Sequence, residues 1–314
     1  MKSKKQISII IPCFNEELNI PKTNKEIKKI FLTINKYNHE MIFVDNGSTD
    51  DTKKEITKLA KRDSNIRAIF LSRNFGPEAS LQAGLDYACG DVIISIPCDL
   101  QDPPALIPEF IKKWEEGNTI VTGIYTKSED DFFTAFLRKT FYAIFKKISN
   151  IEIPVNASGV GLLDRKALNA LNSLPEKYRF FRGLRSWVGF KTAYIVYEKK
   201  KRNKGNSSYN LFNYIKHAER GIFGFSYLFL DLIVYVGFIF VILSFLFVLW
   251  YVLFSLLFGN PIKGSITILV SIVFFGGIQL LAISIIGKYI QVVVEETKSR
   301  PVYIVDKVIS KIKQ

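Results

Sequence analysis

From Ile7 to Gly123 the chain alternates short apolar runs with longer segments whose apolar residues recur at helical spacing. Ile7–Cys13, Met41–Asp45, Ile66–Leu71, Asp91–Ile96 and Thr119–Gly123 read as strands, the first a continuous run of the kind buried on both faces of a sheet. Between them, Glu17–Tyr37 places Ile20, Ile27, Ile30, Phe31 and Ile34 at helical spacing. Asp50–Ala60 reads as a helix capped by Ser48 or Thr49, Pro77–Ala88 as a helix opened by its proline and ended by Gly90, and Ala105–Trp114 as a fourth. This alternation predicts an α/β fold, a Rossmann-like, mostly parallel sheet with helices on both faces.

After Gly221 the pattern changes. No charged residue occurs from Leu232 to Asn260, or from Ser265 to Gly287. Each run exceeds the roughly 18 apolar residues at which a membrane-spanning helix becomes the default. The link Gly259-Asn260-Pro261-Ile262-Lys263-Gly264 makes them a helical hairpin. The expected organisation is a soluble domain over 1–220, a lead-in and two transmembrane helices over 221–290 (about 232–258 and 265–287), and a C-terminal tail over 291–314. Basic residues flank the hairpin: Lys199, Lys200, Lys201, Arg202 and Lys204 before it, Lys288, Lys298, Arg300, Lys307, Lys311 and Lys313 after it. The connecting loop has only Lys263, so the positive-inside rule predicts cytoplasmic termini and a multi-pass protein of the cell membrane. The apolar run at Ile7–Ile11 is too short for a secretory signal.

Composition narrows the reading. The net charge of +14 would suit nucleic acid. Much of it, however, sits beside the predicted spans, where anionic headgroups attract each cation by about 1 kcal/mol. No nucleic-acid partner is therefore expected. Cys13, Cys89 and Cys98 lack metal or redox spacing and read as packing residues. With only His39 and His217, a histidine-rich metal site is not expected.

Candidate chemistry lies at three strand ends: Pro12-Cys13-Phe14-Asn15-Glu16, Asp45-Asn46-Gly47-Ser48-Thr49-Asp50 and Asp99-Leu100-Gln101-Asp102. In an open α/β sheet, ligands bind outside the carboxyl ends of the strands. Acids converging there repel one another unless a cation or ligand hydroxyls lie between them. Hard carboxylate oxygens suit Mg²⁺ or Mn²⁺, the usual partners of a diphosphate. Neither G-x-G-x-x-G after the first strand nor a Walker A sequence is present, which argues against a dinucleotide oxidoreductase or P-loop NTPase.

These motifs resemble family 2 (GT-A fold) glycosyltransferases, and more closely the polyprenyl-phosphate group that includes dolichol-phosphate mannose synthase and the bactoprenol glucosyltransferases. The likeness runs through Ile11–Glu17, Val44–Asp50, Ser72–Gly76, Ala83–Leu85 and Asp99–Pro104. It continues in Arg179–Leu184, Arg202–Tyr209, the hairpin, Gly287–Ile290 and Arg300–Tyr303. It implies that Pro12, Asn15, Glu16, Asp45 and Asn46 line the nucleoside pocket, that Asp99 reaches the metal and that Gln101 sits beside the diphosphate. Arg202, Lys204 and Ser207 of the basic loop would meet the acceptor phosphate, as would Arg138, on an amphipathic helix with Phe132, Phe133, Phe136, Phe141 and Phe145. Asp99, Gln101 and Arg202 are the implied catalytic set.

The chain departs from the family pattern at three places. Its D-x-D pair is Pro97-Cys98-Asp99, the second acid of D-D-G-S is Asn46, and no G-D acid occurs in Ser158-Gly159-Val160-Gly161-Leu162. A lipid phosphate, with its second pKa near 6, is already an oxyanion and needs positioning rather than a general base. The expectation is an inverting, membrane-anchored hexosyltransferase with its catalytic domain on the cytoplasmic face. It would use a nucleotide diphosphate sugar, UDP-glucose or UDP-N-acetylglucosamine, Mg²⁺ or Mn²⁺, and polyprenyl (undecaprenyl) phosphate, and assemble as a homo-oligomer. The rivals are a processive polysaccharide synthase, whose Gln-x-x-Arg-Trp motif is absent, and an inactive sugar-nucleotide-binding membrane protein.

Overall fold

The computed structural model describes residues 4–126, 153–154, 156–177, 179–200, 226, 228–258 and 265–311. Its centre is a parallel sheet of β1 (Gln6–Cys13), β2 (Asn38–Asp45), β3 (Ile66–Leu71) and β4 (Val92–Ser95). β1 pairs in register with β2 from Gln6↔Asn38 to Cys13↔Asp45, and with β4 from Ile7↔Val92 to Ile10↔Ser95. β5 (Ile120–Tyr125), β6 (Ala157–Asp164), β7 (Thr192–Tyr197) and β8 (Val305–Ser310) complete an eight-stranded sheet in the order β7-β5-β6-β4-β1-β2-β3-β8. β6 runs antiparallel to β4 and β5, and β8 antiparallel to β3. This is a GT-A-like, mostly parallel sheet.

Helices cover both faces, as the alternation predicts. Ile7, Ile9 and Ile11 of β1 pack in one core with Ile20, Ile27 and Phe31 of α1 (Ile20–Thr33), Ile56 and Ala60 of α2 (Thr52–Arg62), and Phe110. Ile10 faces the other core with Ala83 and Leu85 of α3 (Pro77–Tyr87). α3 lies so close that a Cβ on Gly84 would stand 2.2 Å from Ile10 Cγ2, which only glycine allows. A single 3₁₀ turn, Pro104–Leu106, leads into α4 (Ile107–Glu115), which carries Phe110. α5 (Arg165–Ser173) and α6 (Phe181–Trp187) join the second core through Leu168, Leu171, Phe181 and Leu184.

The helix boundaries differ from the sequence expectation in informative ways. α2 is entered through the side chain of Asp50, which accepts the Thr52 N–H at 3.0 Å, not through Ser48 or Thr49. Those two residues face the β1 loop instead. α7 (Leu228–Phe258) and α8 (Ser265–Thr297) carry most of the charge-free runs, and Leu228–Phe258 and Phe274–Thr297 are long and apolar enough to be candidate membrane spans, unburied by protein. At about 1.5 Å per residue the two helices measure roughly 46 and 50 Å, well beyond a hydrocarbon core of about 30 Å. α8 continues ten residues past Gly287 to Thr297, and its Glu296 carboxylate accepts the Lys177 N–H at 2.8 Å.

Residues 291–311 do not form a separate tail. Beyond α8 the chain returns to the sheet: Ile304 O accepts the Ser72 N–H at 3.0 Å, Tyr303 donates to Asp86 at 2.6 Å, and β8 covers the β3 edge. The charged, half-exposed sequence of β8 carries no continuous apolar run, which hides it from a sequence reading.

A buried polar cluster closes the opposite end of the sheet. Glu40, 1% exposed, accepts from the Ser8 hydroxyl at 2.6 Å and the Cys89 N–H at 2.8 Å, and lies 3.8 Å from the Arg67 guanidinium. Removing one member strands a buried charge. Glu40→Ala is expected to lower unfolding free energy by about 3–5 kcal/mol. Asp306→Ala, which breaks an exposed pair with Lys53 at 3.1 Å, should change it by less than about 1 kcal/mol. Thermal melts of the two purified variants check the contrast.

Candidate active site

The in-register parallel strands bring the ends of β1, β2 and β4 to one edge. Asp45 closes β2 opposite Cys13, and Asn46 N–H donates to Cys13 O at 2.9 Å. Asp45 is 2% exposed, and its Oδ1 accepts the Ser48 N–H at 3.2 Å. Burial raises its carboxyl above the usual carboxylate value, and the Ser48 bonds oppose that shift.

The β1 and β2 loops are laced together. Asn15 adopts φ 54°, a left-handed conformation that asparagine tolerates. Its N–H donates to Ser48 Oγ at 2.9 Å and its Oδ1 accepts the Thr49 N–H at 2.9 Å. Glu16 is buried; its N–H donates to Thr52 Oγ1 at 2.7 Å, and its carboxylate accepts from Asn19 Nδ2 at 2.5 Å. Asn15, Glu16 and Asn46 thus lie in the loops that follow Pro12 and Asp45, with side chains engaged in shaping those loops.

Asn46 explains one departure from the family motif. Its Oδ1 accepts the Phe75 N–H at 3.0 Å, which fixes the amide orientation, and its Nδ2 donates to Asn74 Oδ1 at 3.1 Å. Asn74 Oδ1 also accepts the Gly76 N–H at 2.8 Å. A carboxylate at position 46 could accept the first bond but not donate the second. The amide thus joins the β2 end to the loop after β3. Gly47 lies beneath that loop at φ 71°, where a Cβ would stand 2.5 Å from the Arg73 carbonyl carbon.

At the end of β4, Asp99 is half-buried and its Oδ1 accepts the Gln101 N–H at 3.1 Å. Gln101 is likewise half-buried, and its carbonyl accepts the Lys200 N–H at 2.8 Å. Asp102, 4% exposed, accepts from the Tyr197 hydroxyl. Burial raises the Asp102 carboxyl, opposed by Lys199, Tyr197 and Arg182, while Asp99 adds to the rise. Burial and Asp102 together push the Tyr197 hydroxyl far above its ordinary value. Tyr197 gives no sign in the sequence; Asp102 is visible there only as an acid of the strand-end motif.

No group of three or more metal-ligating side chains occurs among the described residues. The donor set nevertheless fits Mg²⁺ or Mn²⁺, because such an ion beside a diphosphate takes one or two carboxylates and fills its shell with phosphate oxygens and water. Asp99, a hard oxygen donor at a strand end, meets that requirement. Arg138, Arg202, Lys204 and Ser207 lie outside the described residues, as does the Phe132–Phe145 stripe.

A model of Glycosyl transferase family 2 matches residues 8–171. An uncharacterized glycosyltransferase of Synechocystis sp. is 37% identical over 301 residues, covering 96% of this chain and 94% of its own. The SfII prophage-derived bactoprenol glucosyl transferase of Shigella flexneri is 38% identical over 305 residues, covering 96% and 98%. Among solved structures, glucosyl-3-phosphoglycerate synthase from Mycobacterium tuberculosis in complex with UDP is similar at a TM-score of 0.47 and 21% identity, covering 71% of this chain and 79% of that one.

Gly47→Ala should be costly here, combining a left-handed backbone of about 1–2 kcal/mol with overpacking of about 1–3 kcal/mol. It is expected to lower stability by roughly 2–5 kcal/mol. Gly159→Ala, where a new Cβ meets nothing within 4 Å, is expected to leave stability unchanged. Melting curves of the two purified variants check the contrast.

Proposed function

The chain belongs to glycosyltransferase family 2, and we propose that it is a membrane-anchored inverting transferase moving a hexose from a UDP-sugar to polyprenyl phosphate on the cytoplasmic face of the cell membrane. One observation supports the reading: β2, which ends in Asp45, and β4, which leads into the turn of Asp99 and Gln101, run parallel on either side of β1 in a sheet whose chain also holds two candidate membrane helices. The name of the Shigella relative supports a bactoprenol acceptor, and its glucosyl group supports UDP-glucose, with UDP-N-acetylglucosamine the alternative.

In this reading Pro12, Asn15, Glu16, Asp45 and Asn46 form the nucleoside wall. The loop lacing described above keeps that wall in place before the donor arrives, so little ordering is needed on binding. Gln101 lies beside the diphosphate. Asp99 would hold Mg²⁺ or Mn²⁺, and the ion would offset charge on the departing nucleoside diphosphate. Arg138, Arg202, Lys204 and Ser207 would receive the acceptor phosphate and orient one of its oxygens behind the anomeric carbon. That oxygen forms the new bond to carbon as the bond to the donor diphosphate breaks, inverting the centre. No side chain has to remove a proton, since the phosphate is an oxyanion at neutral pH. The absence of an acid in Ser158–Leu162 is therefore compatible with activity. Assembly as a homo-oligomer completes the proposal.

Transfer of radiolabelled glucose from UDP-glucose to undecaprenyl phosphate by the purified protein tests the reaction. Asp99→Asn is expected to abolish metal-dependent transfer while leaving the melting temperature within a few degrees. Full activity in that variant would remove Asp99 from the site.

Topology is tested separately. With Cys13, Cys89 and Cys98 replaced, a cysteine at Asn260 should react with an impermeant thiol reagent on intact cells. Cysteines at Asn203 or Ser310 should react only after the membrane is opened. The reverse pattern would separate the site from cytoplasmic nucleotide sugars and sink the proposal.

A further inference from the structure

The turn that presents Asp99 and Gln101 is strained and is held from across the sheet. Leu100 has φ 60°, a left-handed conformation that is unfavourable for a non-glycine residue and persists only where the surroundings over-determine it. Inside the turn, the Gln101 N–H bond to Asp99 Oδ1 contributes. Two further bonds come from the end of β7, with β5 and β6 lying between β7 and β4 in the sheet. Lys200 N–H donates to Gln101 O at 2.8 Å, and the Tyr197 hydroxyl donates to Asp102 Oδ1, 95 residues earlier in the chain.

Tyr197 is itself well fixed. It pairs in register with Tyr125 of β5, and its carbonyl accepts the Thr126 N–H at 3.0 Å. Asp102 and Tyr197 are 4% and 7% exposed, so water has little access to replace a lost bond. After Asp102, Pro103 and Pro104 stiffen the exit toward α4. The turn is thus pinned at the residues that directly follow Leu100.

We propose that Tyr197 and Asp102 are positioning residues for the donor diphosphate: their bond fixes the turn in which Asp99 and Gln101 face the crevice. The inference rests on the reading that Asp99 and Gln101 receive the donor. Losing the bond lets Leu100 relax toward ordinary backbone angles and moves both side chains. The effect falls on donor and metal use, while the acceptor, which is bound by other residues, is spared.

The experiment uses the full-length protein in detergent with UDP-glucose, Mn²⁺ and undecaprenyl phosphate. It compares Tyr197→Phe, Asp102→Ala, their double variant, Asp102→Asn and Asp99→Asn. Tyr197→Phe is expected to raise donor KM and the Mn²⁺ concentration for half-maximal activity by roughly tenfold, the scale of one buried hydrogen bond to a charged group. Acceptor KM should not change. The double variant should be no worse than Asp102→Ala alone, because both remove one bond. Asp102→Asn, which keeps an acceptor oxygen for Tyr197, should recover most of the donor affinity. Should Asp102→Ala fail to fold, Tyr197→Phe and Asp102→Asn carry the test.

A loss confined to kcat and melting temperature, with both KM values unchanged, would make the bond a fold element only and overturn the proposal. Unchanged kinetics in Tyr197→Phe beside an inactive Asp99→Asn would also overturn it while leaving the donor reading intact. Wild-type donor KM and activity in Asp99→Asn would instead defeat the donor reading itself, and the positioning role with it.

Discussion

The site depends on the unshifted parallel pairing of β1 with β2 and β4. Parallel strands in register end at the same edge, so Cys13, Asp45 and the turn after Ser95 are neighbours by construction. A slip of one residue would turn Ile7, Ile9 and Ile11 from one core to the other and carry the strand-end loops out of alignment. The two cores on opposite faces resist that slip, because every residue from Ile7 to Ile11 is fully buried. Packing energy spread along the strand thereby becomes positional accuracy at its tip.

Much of this was legible in the sequence because the central strands are buried on both faces. Apolar runs mark Ile9–Ile11 of β1 and Met41–Val44 of β2, and the helices between the strands show regular spacing. The motifs also mark where β2 and β4 end, with Asp45 closing β2 and Asp99 and Gln101 in the turn after β4. What escaped was set by tertiary context. β6 carries Gly159 and Gly161 among its apolar residues, β7 alternates exposure, and β8 is a charged edge strand, so none has the apolar signature of a central strand. Asn46 looked like an acid lost from a motif. Its significance lies in an amide that both accepts and donates, which is apparent only once Phe75 and Asn74 are beside it. Tyr197 lies 95 residues from the carboxylate it contacts, and no local pattern connects them.

The loops at the edge divide their work. Side chains that resemble ligand contacts in the sequence, such as Asn15 and Glu16, are largely engaged with neighbouring loops. Their effect is to hold backbone N–H groups and the Asp45 carboxylate at fixed places. Departures from a family motif can therefore preserve a site's shape while changing which atoms maintain it.

The return of the chain to the β3 edge has a consequence for how the molecule is made. β8 follows α7 and α8 in sequence, so β3 lacks its outer partner until both apolar helices have been synthesised. An unpaired β3 edge invites wrong partners during that interval. The sheet gains its last strand only when the hairpin is complete, so the final step of domain folding is timed by biosynthesis of the segment that would enter the bilayer. A chain released before that point would carry every strand-end loop of the site and still have an open flank, a form that quality-control proteases could recognise.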